Sequence, residues 1–456
     1  MGLKTVCAVS ACKLTRFILR ILGKGGTNVP GRVALAIQPD LLGVLAKNVT
    51  TIIVTGTNGK TTTSRMIEKS LINANWNYFA NKSGANMLSG ITAEFAMHAG
   101  INGKSKCRYA LIECDEAAFR TVSKYVDAKC IVVTNIFRDQ LDRYGEVTHT
   151  LNFILEGIQN SVNAVVCLNA DCSLSVSLQE QIPNPVRFYG VECEIYKNKV
   201  QEVSDAPYCI KCKTEYEYDY RTFGHLGGFR CPHCGYHRPD TSITVKRVLK
   251  YTPDGSQVEI SVDGKSYETF INLPGGYNIY NAIAAVAVGK VLHMKDALLI
   301  DSLNQFECGF GRMEKFTVQG TDIRMILIKN PAGCNQVLNF LSNLTEPALF
   351  VAALNDRDAD GTDISWIWDV DFEKLADISE RLTGVWTTGI RANEMAMRFQ
   401  YAGIPMEKIR VIPDYDTVIQ EMIAQKMPVY LMPTYTAMLD IREKFSSKYG
   451  FKEFWE

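Results

Sequence analysis

Residues 52–63 read Ile-Ile-Val-Thr-Gly-Thr-Asn-Gly-Lys-Thr-Thr-Thr. A β-branched run enters a glycine turn and leaves it through a Lys-Thr pair that opens a helix. Backbone N–H groups of the 56–59 turn, with the positive end of the following helix dipole, make a seat for an anion. Gly56, Thr57, Asn58, Gly59, Lys60, Thr61 and Thr62 are therefore the candidate nucleotide-binding residues. Lys60 would reach the outer phosphates of ATP, and Thr61 would place its hydroxyl on Mg²⁺. A plain strand-to-helix turn needs neither a lysine nor a hydroxyl directly after the second glycine. The general pattern has glycine five residues before Gly59; this chain has Val54, so the loop is a shortened variant.

Outward from this loop, strands and helices alternate from residue 49 to about 170. Residues 51–55 lead to a helix through Met66, Ile67 and Leu71, and residues 109–112 to a helix near 117–126. Residues 129–134 precede a polar turn and another helix, and 163–168 end in Asn169-Ala170-Asp171. This alternation predicts an α/β fold with a parallel sheet covered on both faces. Such sheets bind ligands at the carboxyl ends of their strands. Glu113, Asp115 and Glu116 fall there, as does Asn135-Ile-Phe-Arg138-Asp139-Gln140-Leu-Asp142. Mg²⁺ takes hard oxygen ligands and keeps several waters, so one or two carboxylates suffice. Either acidic cluster alone also fits a solvated helix start.

Residues 205–240 break the alternation with Cys209-x2-Cys212, eighteen intervening residues, and Cys231-x2-Cys234. Each knuckle turns two thiolates toward one tetrahedral ion, which makes a closed and structural four-cysteine zinc site. His225, His233 and His237 lie near enough in sequence for a ligand swap. Strand-like residues resume at 243–249 and 258–262, so the ribbon is inserted within a domain. Past Leu273-Pro274-Gly275-Gly276, an alanine-rich helix is expected over 278–293, and a new segment opens at 309–313. Alternation then returns to residue 440, with Gly389 and Gly403 bracketing a helix that contains Met395, Met397 and Phe399. The expected division is a lead-in over 1–48, an ATP-binding domain over 49–312 carrying the ribbon, and a smaller α/β domain over 313–456.

Composition narrows the classes. Lys+Arg and Asp+Glu number 49 each in 456 residues, so the basic footprint of a nucleic-acid binder is missing. No apolar run approaches the roughly 18 residues of a membrane-spanning helix. Lys13, Arg16 and Arg20 interrupt the first apolar stretch, which therefore does not read as a signal peptide. Residues 13–24 read instead as a basic amphipathic helix, with Leu14, Phe17, Ile18, Ile21 and Leu22 apolar. Packing on the body of the protein and lying on a membrane surface both fit it. Of the fourteen cysteines, four form the metal pattern and most others sit singly in apolar strands, as Cys130 and Cys167 do. That usage reads as a reducing, cytoplasmic interior.

Thr55-Gly-Thr-Asn-Gly-Lys-Thr-Thr62, the Glu113 segment, Asn135…Asp139-x-x-Asp142, Gly276-Tyr-Asn278-x-x-Asn281-Ala282 and Gly311-Arg312-Met313-Glu314 follow one another here. That series resembles the Mur ligases, ATP-dependent amide-forming ligases of peptidoglycan synthesis, over about residues 50–315. The resemblance implies that Lys60 and Thr61 hold phosphate and Mg²⁺ and that Glu113 is a Mg²⁺ ligand. It also implies that Asn278 contacts the nucleotide and that Arg312 touches phosphates or ribose from the domain seam. Departures narrow the match. Only about fifty residues precede the loop, Gln140 replaces the usual histidine, and no lysine lies between Lys129 and Lys197 to be carbamylated. The last domain has Ile328-Lys329-Asn330-Pro331-Ala332-Gly333 where an Asp-Tyr-Ala-His-Asn-Pro motif is usual.

With the four-cysteine ribbon, these departures resemble the MurT-type subunits of lipid II isoglutaminyl synthases. Asp360-Gly361-x-Asp363-x-Ser365-Trp366-Ile367-Trp368-Asp369 and Thr434-Tyr435-Thr436-Ala437-Met438 carry that likeness. It implies a glutaminase partner of the GatD type that releases ammonia. This chain would then turn the α-carboxylate of D-glutamate in the lipid II stem into D-isoglutamine through an acyl phosphate, in the cytoplasm or at the inner membrane face. An aspartate of the last domain would complete the partner's Cys-His pair, with Asp360 first and Asp363 and Asp356 behind it. Trp366 and Trp368, two apart, would share one face of a strand, either anchoring an interface or buried. Two other readings stay open: a folylpolyglutamate-like ligase that adds an amino acid, and a zinc-ribbon binding module on a degenerate ATPase.

Overall fold

The structure is a computed structural model that describes residues 2–22, 28–81, 84–138, 147–195, 204–252, 254–307, 312–343 and 346–451. Three helices lead in: α1 (Leu3–Ile21), α2 (Asn28–Ile37) and α3 (Leu41–Ala46). The chain then enters β1 (Thr50–Thr55), α4 (Lys60–Asn73), β2 (Tyr78–Ala80), α5 (Leu88–His98), β3 (Tyr109–Glu113), α6 (Glu116–Val122) and β4 (Ala128–Val133). Next come β5 (Val165–Asn169), β6 (Val186–Val191), β7 (Glu217–Phe223), β8 (Leu226–Arg230), β9 (Ile243–Thr252), β10 (Gly255–Val262) and β11 (Lys265–Ile271).

Among the described residues, nine of these strands form one sheet in the order β11-β10-β9-β6-β5-β4-β1-β3-β2, parallel except for the β9-β10-β11 edge. Ile52, Ile53 and Val54 of the central β1 are fully buried, and each stabilises the fold by roughly 1.5–3 kcal/mol. A parallel strand needs cover on both faces. Much of that cover is the helix Gly276–Val291, whose Ala284, Ala285 and Ala287 are buried as it lies across β4, β5, β6 and β9 beside α4.

The second sheet takes β12 (Arg312–Val318), β13 (Thr321–Ile326), β14 (Ala348–Ala353), β15 (Leu382–Thr388), β16 (Ile409–Val411) and β17 (Val429–Pro433), ordered β12-β13-β17-β14-β15-β16. Its own core packs Phe316, Ile323, Met325, Leu349, Val351 and Leu431 together, with Phe316 stacked on Phe445 at 4.7 Å. Strands β7 and β8 form a separate two-stranded sheet, with Leu226 also bridged to Cys172. They sit between β6 and β9, which are neighbours in the large sheet, so the cysteine segment is an insertion in that sheet's crossover. No helix of the described residues is long and apolar enough to cross a membrane.

Several local expectations need correction. The alanine-rich helix begins at Gly276 rather than Asn278, because Gly275 adopts φ +96° and turns the chain a residue earlier. The helix after β3 spans Glu116–Val122, and Asp115 caps it by accepting the Ala117 and Ala118 N–H groups. The basic helix runs Leu3–Ile21, well upstream of the expected start. Trp366 and Trp368 lie in a 3-10 turn, Ser365–Asp369, not a strand. Spacing of two therefore does not put them on one face.

Candidate functional site

The 56–59 turn is tight because two of its residues are glycines in the left-handed region, Gly56 at φ +114° and Gly59 at φ +85°. Side chains are also excluded by space. A Cβ on Gly59 would lie 2.1 Å from Asn281 Oδ1, and one on Gly56 would lie 2.5 Å from Thr134 Oγ1. The turn is pinned from the next strand end: the Asn58 N–H donates to Asn135 Oδ1 at 3.0 Å, and Asn135 Nδ2 donates to the Asn58 carbonyl at 3.1 Å. Thr57 locks the base of the loop, donating from Oγ1 to the Phe137 carbonyl at 3.1 Å.

Lys60 is buried. Its ammonium donates to the Gly56 carbonyl at 2.6 Å and to Glu116 Oε2 at 3.1 Å. Beside it, Thr61 Oγ1 lies 3.0 Å from Glu113 Oε1. Two oxygens on adjacent corners of a Mg²⁺ octahedron with bonds of 2.0–2.1 Å are about 3 Å apart. The pair thus has the spacing of two neighbouring magnesium ligands. Glu113 is itself fixed by Asn81, whose amide donates to the Glu113 carbonyl and accepts the Glu113 N–H, both at 2.8 Å.

A cleft opens over this loop, between the two sheets. Asn58, Gly59, Thr62 and Asn278 line it, facing Met313, Leu327, Lys329 and Gln336 of the second half of the chain. Asn278 is held in place by Asn281 Nδ2, which donates to its Oδ1 at 2.9 Å. Lys329 Nζ reaches the Thr57 carbonyl at 3.4 Å, and Asn330 Nδ2 donates to Asn58 Oδ1 at 3.1 Å. These two contacts bring the second half down onto the loop. As a string, 328–333 stands out only as a departure from a motif. Asn330 followed by Pro331 is in fact a helix start, with the Asn330 side chain accepting the Gly333 N–H; that signal could have placed it. The side chain of Arg312, and Asp139, Gln140 and Asp142, lie outside the described residues.

The four cysteines meet. The sulfurs of Cys209, Cys212, Cys231 and Cys234 all lie within 4.8 Å of one another. Tetrahedral zinc with bonds near 2.3 Å sets its sulfurs about 3.8 Å apart, so the donor set and spacing fit zinc. No histidine joins them. His225 is wholly buried against Phe137, with Cys172 Sγ 3.5 Å from its Nε2, and burial pushes its imidazole down to about 3. The hairpin that follows the ribbon's first knuckle is tied to the main domain: the Gly227 N–H donates to the Asp171 carbonyl at 3.1 Å, and Thr222 Oγ1 lies 2.7 Å from Tyr280 OH. As a result Phe223, at the end of β7, enters the wall of the cleft, 5.9 Å from Phe137 and nearly parallel to it.

Asp360 and Asp363 are not in this cleft. They lie on the loop after β14, in the second half. Asp360 is buried and accepts the Thr436 N–H at 2.7 Å and its hydroxyl at 2.5 Å, steadying the last helix. Asp356 pairs with Arg391 at 2.6 Å. Asp363 is exposed, and the Ser365 N–H and hydroxyl at 2.8 and 2.9 Å hold its carboxyl below the usual range. Trp368 and Tyr401, both exposed, meet edge to face at 5.4 Å.

A phosphate loop on a parallel sheet, closed by a second α/β unit across a cleft, defines a Mur-type ligase. The sequence profile of the Mur ligase middle domain matches residues 54–225, and that of the MurT ligase C-terminal domain matches residues 327–438. The chain belongs to the MurT subunits of glutamine-hydrolysing lipid II isoglutaminyl synthases, within the Mur ligase family. It is 35% identical to that subunit from Streptococcus pneumoniae over 98% of both chains, and 32% identical to that of Staphylococcus aureus over 97% of this chain and 98% of the other. The fold is shared with a pseudomurein peptide ligase type C from Methanothermus fervidus at 20% identity (TM-score 0.66, 88% of this chain and 79% of the other). It is shared too with folylpolyglutamate synthase from Mycobacterium tuberculosis at 13% identity (TM-score 0.64, 98% and 100%).

Proposed function

We propose that this chain is the ATP-consuming subunit that amidates the α-carboxylate of D-glutamate in the lipid II stem peptide, using ammonia released by a separate GatD-type glutaminase. The observation that carries this is the intact Lys60–Thr61–Glu113 group in a chain similar to MurT from end to end. It counts against a degenerate ATPase, and the full-length match counts against a ligase that adds an amino acid. The working division is 49–312 for the nucleotide and 313–456 for closure and the partner.

A carboxylate is a poor electrophile. Its oxygen attacks the γ-phosphorus of ATP, the bond to the β-phosphate oxygen breaks, and an acyl phosphate and ADP result. Ammonia then adds to the acyl carbon, phosphate departs with the carbon–oxygen electron pair, and the nitrogen loses a proton to leave the amide. The Lys60 ammonium and the backbone N–H groups where the loop enters its helix spread the charge that builds on the phosphoryl oxygens. Magnesium on Thr61 and Glu113 would supply further charge neutralisation. Zinc on the four cysteines would be structural, since four protein ligands close its shell.

The chain and its neighbouring glutaminase, copurified, should convert D-glutamate of lipid II to D-isoglutamine with glutamine and ATP, one ADP per amide, as read by mass spectrometry. ADP release that requires a free amino acid instead would favour the other ligase reading.

To reach a partner's histidine, an aspartate must face solvent and stay ionised. Asp363 meets both conditions, whereas Asp360 is committed to Thr436. Asp363, on the exposed loop that leads to Ser365, is accordingly the proposed glutaminase contact. Asp363→Asn should abolish glutamine-supported amidation but spare amidation driven by ammonium chloride. Asp360→Ala should instead lower stability by about 1–3 kcal/mol, because a buried N–H loses its acceptor.

A further inference from the structure

The N-terminal helix carries a surface that the ligase reading does not use. Its inner face, with Thr5, Ala8, Val9 and Cys12 buried, packs on α2 and α5. Its outer face runs Leu3, Cys7, Ser10, Leu14, Phe17, Ile21 in steps of four and three, one continuous stripe. Leu14, Phe17, Ile18, Ile21 and Leu22 are 60, 62, 47, 69 and 63% exposed. Five large apolar side chains together on water form a patch of the kind that marks an interaction site.

Charge tells what covers it. Residues 1–39 hold six of the chain's 49 Lys+Arg and none of its 49 Asp+Glu, so a neutral protein concentrates positive charge here and leaves the remainder acidic. Lys13 and Arg16 turn inward, to the Ala99 carbonyl at 2.5 Å and Glu94 at 2.8 Å. Lys4, Arg20 and Arg32 are exposed around the stripe. A second copy of this helix would set cation against cation with no carboxylate on either side. An anionic bilayer satisfies both features, taking the apolar stripe into its acyl boundary and the cations at its headgroups.

We propose that α1, flanked by α2, is the face by which this protein docks on an anionic membrane surface. Charge and exposure carry this without the ligase assignment, and the assay reads binding alone, so its failure leaves the amidation reading intact.

The full chain should float with phosphatidylglycerol-containing vesicles, not with phosphatidylcholine vesicles, and should release in high salt. Phe17→Glu with Ile21→Glu, and separately Arg20→Glu, should each weaken vesicle binding by roughly tenfold or more, with the thermal midpoint unchanged because these side chains are exposed. Absence of binding to anionic vesicles at low salt overturns the proposal. So does unchanged binding by the double variant. A dimer in solution that the double variant converts to monomer, or loss of the glutaminase partner in that variant, also overturns it by assigning the stripe to protein.

Discussion

Lys60→Ala is expected to cut ATP-dependent amide formation by about 10²–10³-fold, the cost of removing one preorganised donor to developing charge. The structure adds a second expectation. The Lys60 ammonium is the ion-pair partner of Glu116, whose side chain is only 3% exposed. Truncating one member of a buried pair costs about 3–5 kcal/mol, so the single variant should also unfold at a lower temperature. Loss of activity alone would then be ambiguous. Adding Glu116→Gln removes the stranded charge and should restore most of the stability while amidation stays lost. A double variant that is stable and active would end the phosphoryl-transfer role of Lys60. One that is stable and inactive separates chemistry from folding.

The other large effect is expected at the ribbon. In Cys231→Ser, zinc content should fall from one per chain to near zero, and residues 205–240 should become sensitive to protease, because a metal that organises four thiolates contributes directly to folding. The consequence should extend to the cleft. The hairpin reaches from the cysteines through β7 to Phe223, which stands in the cleft wall against Phe137. Its anchors on the main domain, Gly227 to Asp171 and Thr222 to Tyr280, do not involve the metal, so the enzyme should remain folded while that wall loosens. Losing an aromatic wall contact of roughly 1.5–3 kcal/mol predicts ATP binding weakened by about tenfold or more, measurable by calorimetry. Unchanged ATP affinity in a zinc-free protein would show that the ribbon serves something other than the cleft.

Much of the site is legible in the sequence. Gly56, Gly59 and Lys60 announce themselves because a phosphate loop is built from consecutive residues, and its chemistry is written in one local stretch. The Cys-x2-Cys pairs announce themselves for the same reason: each knuckle is local, and only the meeting of two is long-range. Helix starts were less legible. Gly275 at positive φ and Asp115 as a cap moved two of them, since capping depends on backbone angles that residue type constrains only weakly. Asn81, Lys329 and Phe223 carry no signal of a site role in the sequence. Each acts through a partner tens to hundreds of residues away, and no spacing rule reports such pairs.

Asp360 and Asp363 show the boundary most clearly. Both stand in one acidic run and look equivalent as a string. Folding buries Asp360 against Thr436, 76 residues on, and leaves Asp363 in water. The sequence by itself determined a nucleotide loop on a parallel sheet, a four-cysteine ribbon and a second α/β unit, because periodicity, turn chemistry and ligand spacing are local properties. Only the tertiary structure decided which carboxylate faces outward, which side chains close the cleft and which side of the first helix is bare. Those outcomes depend on burial, and burial is set by what distant segments pack against.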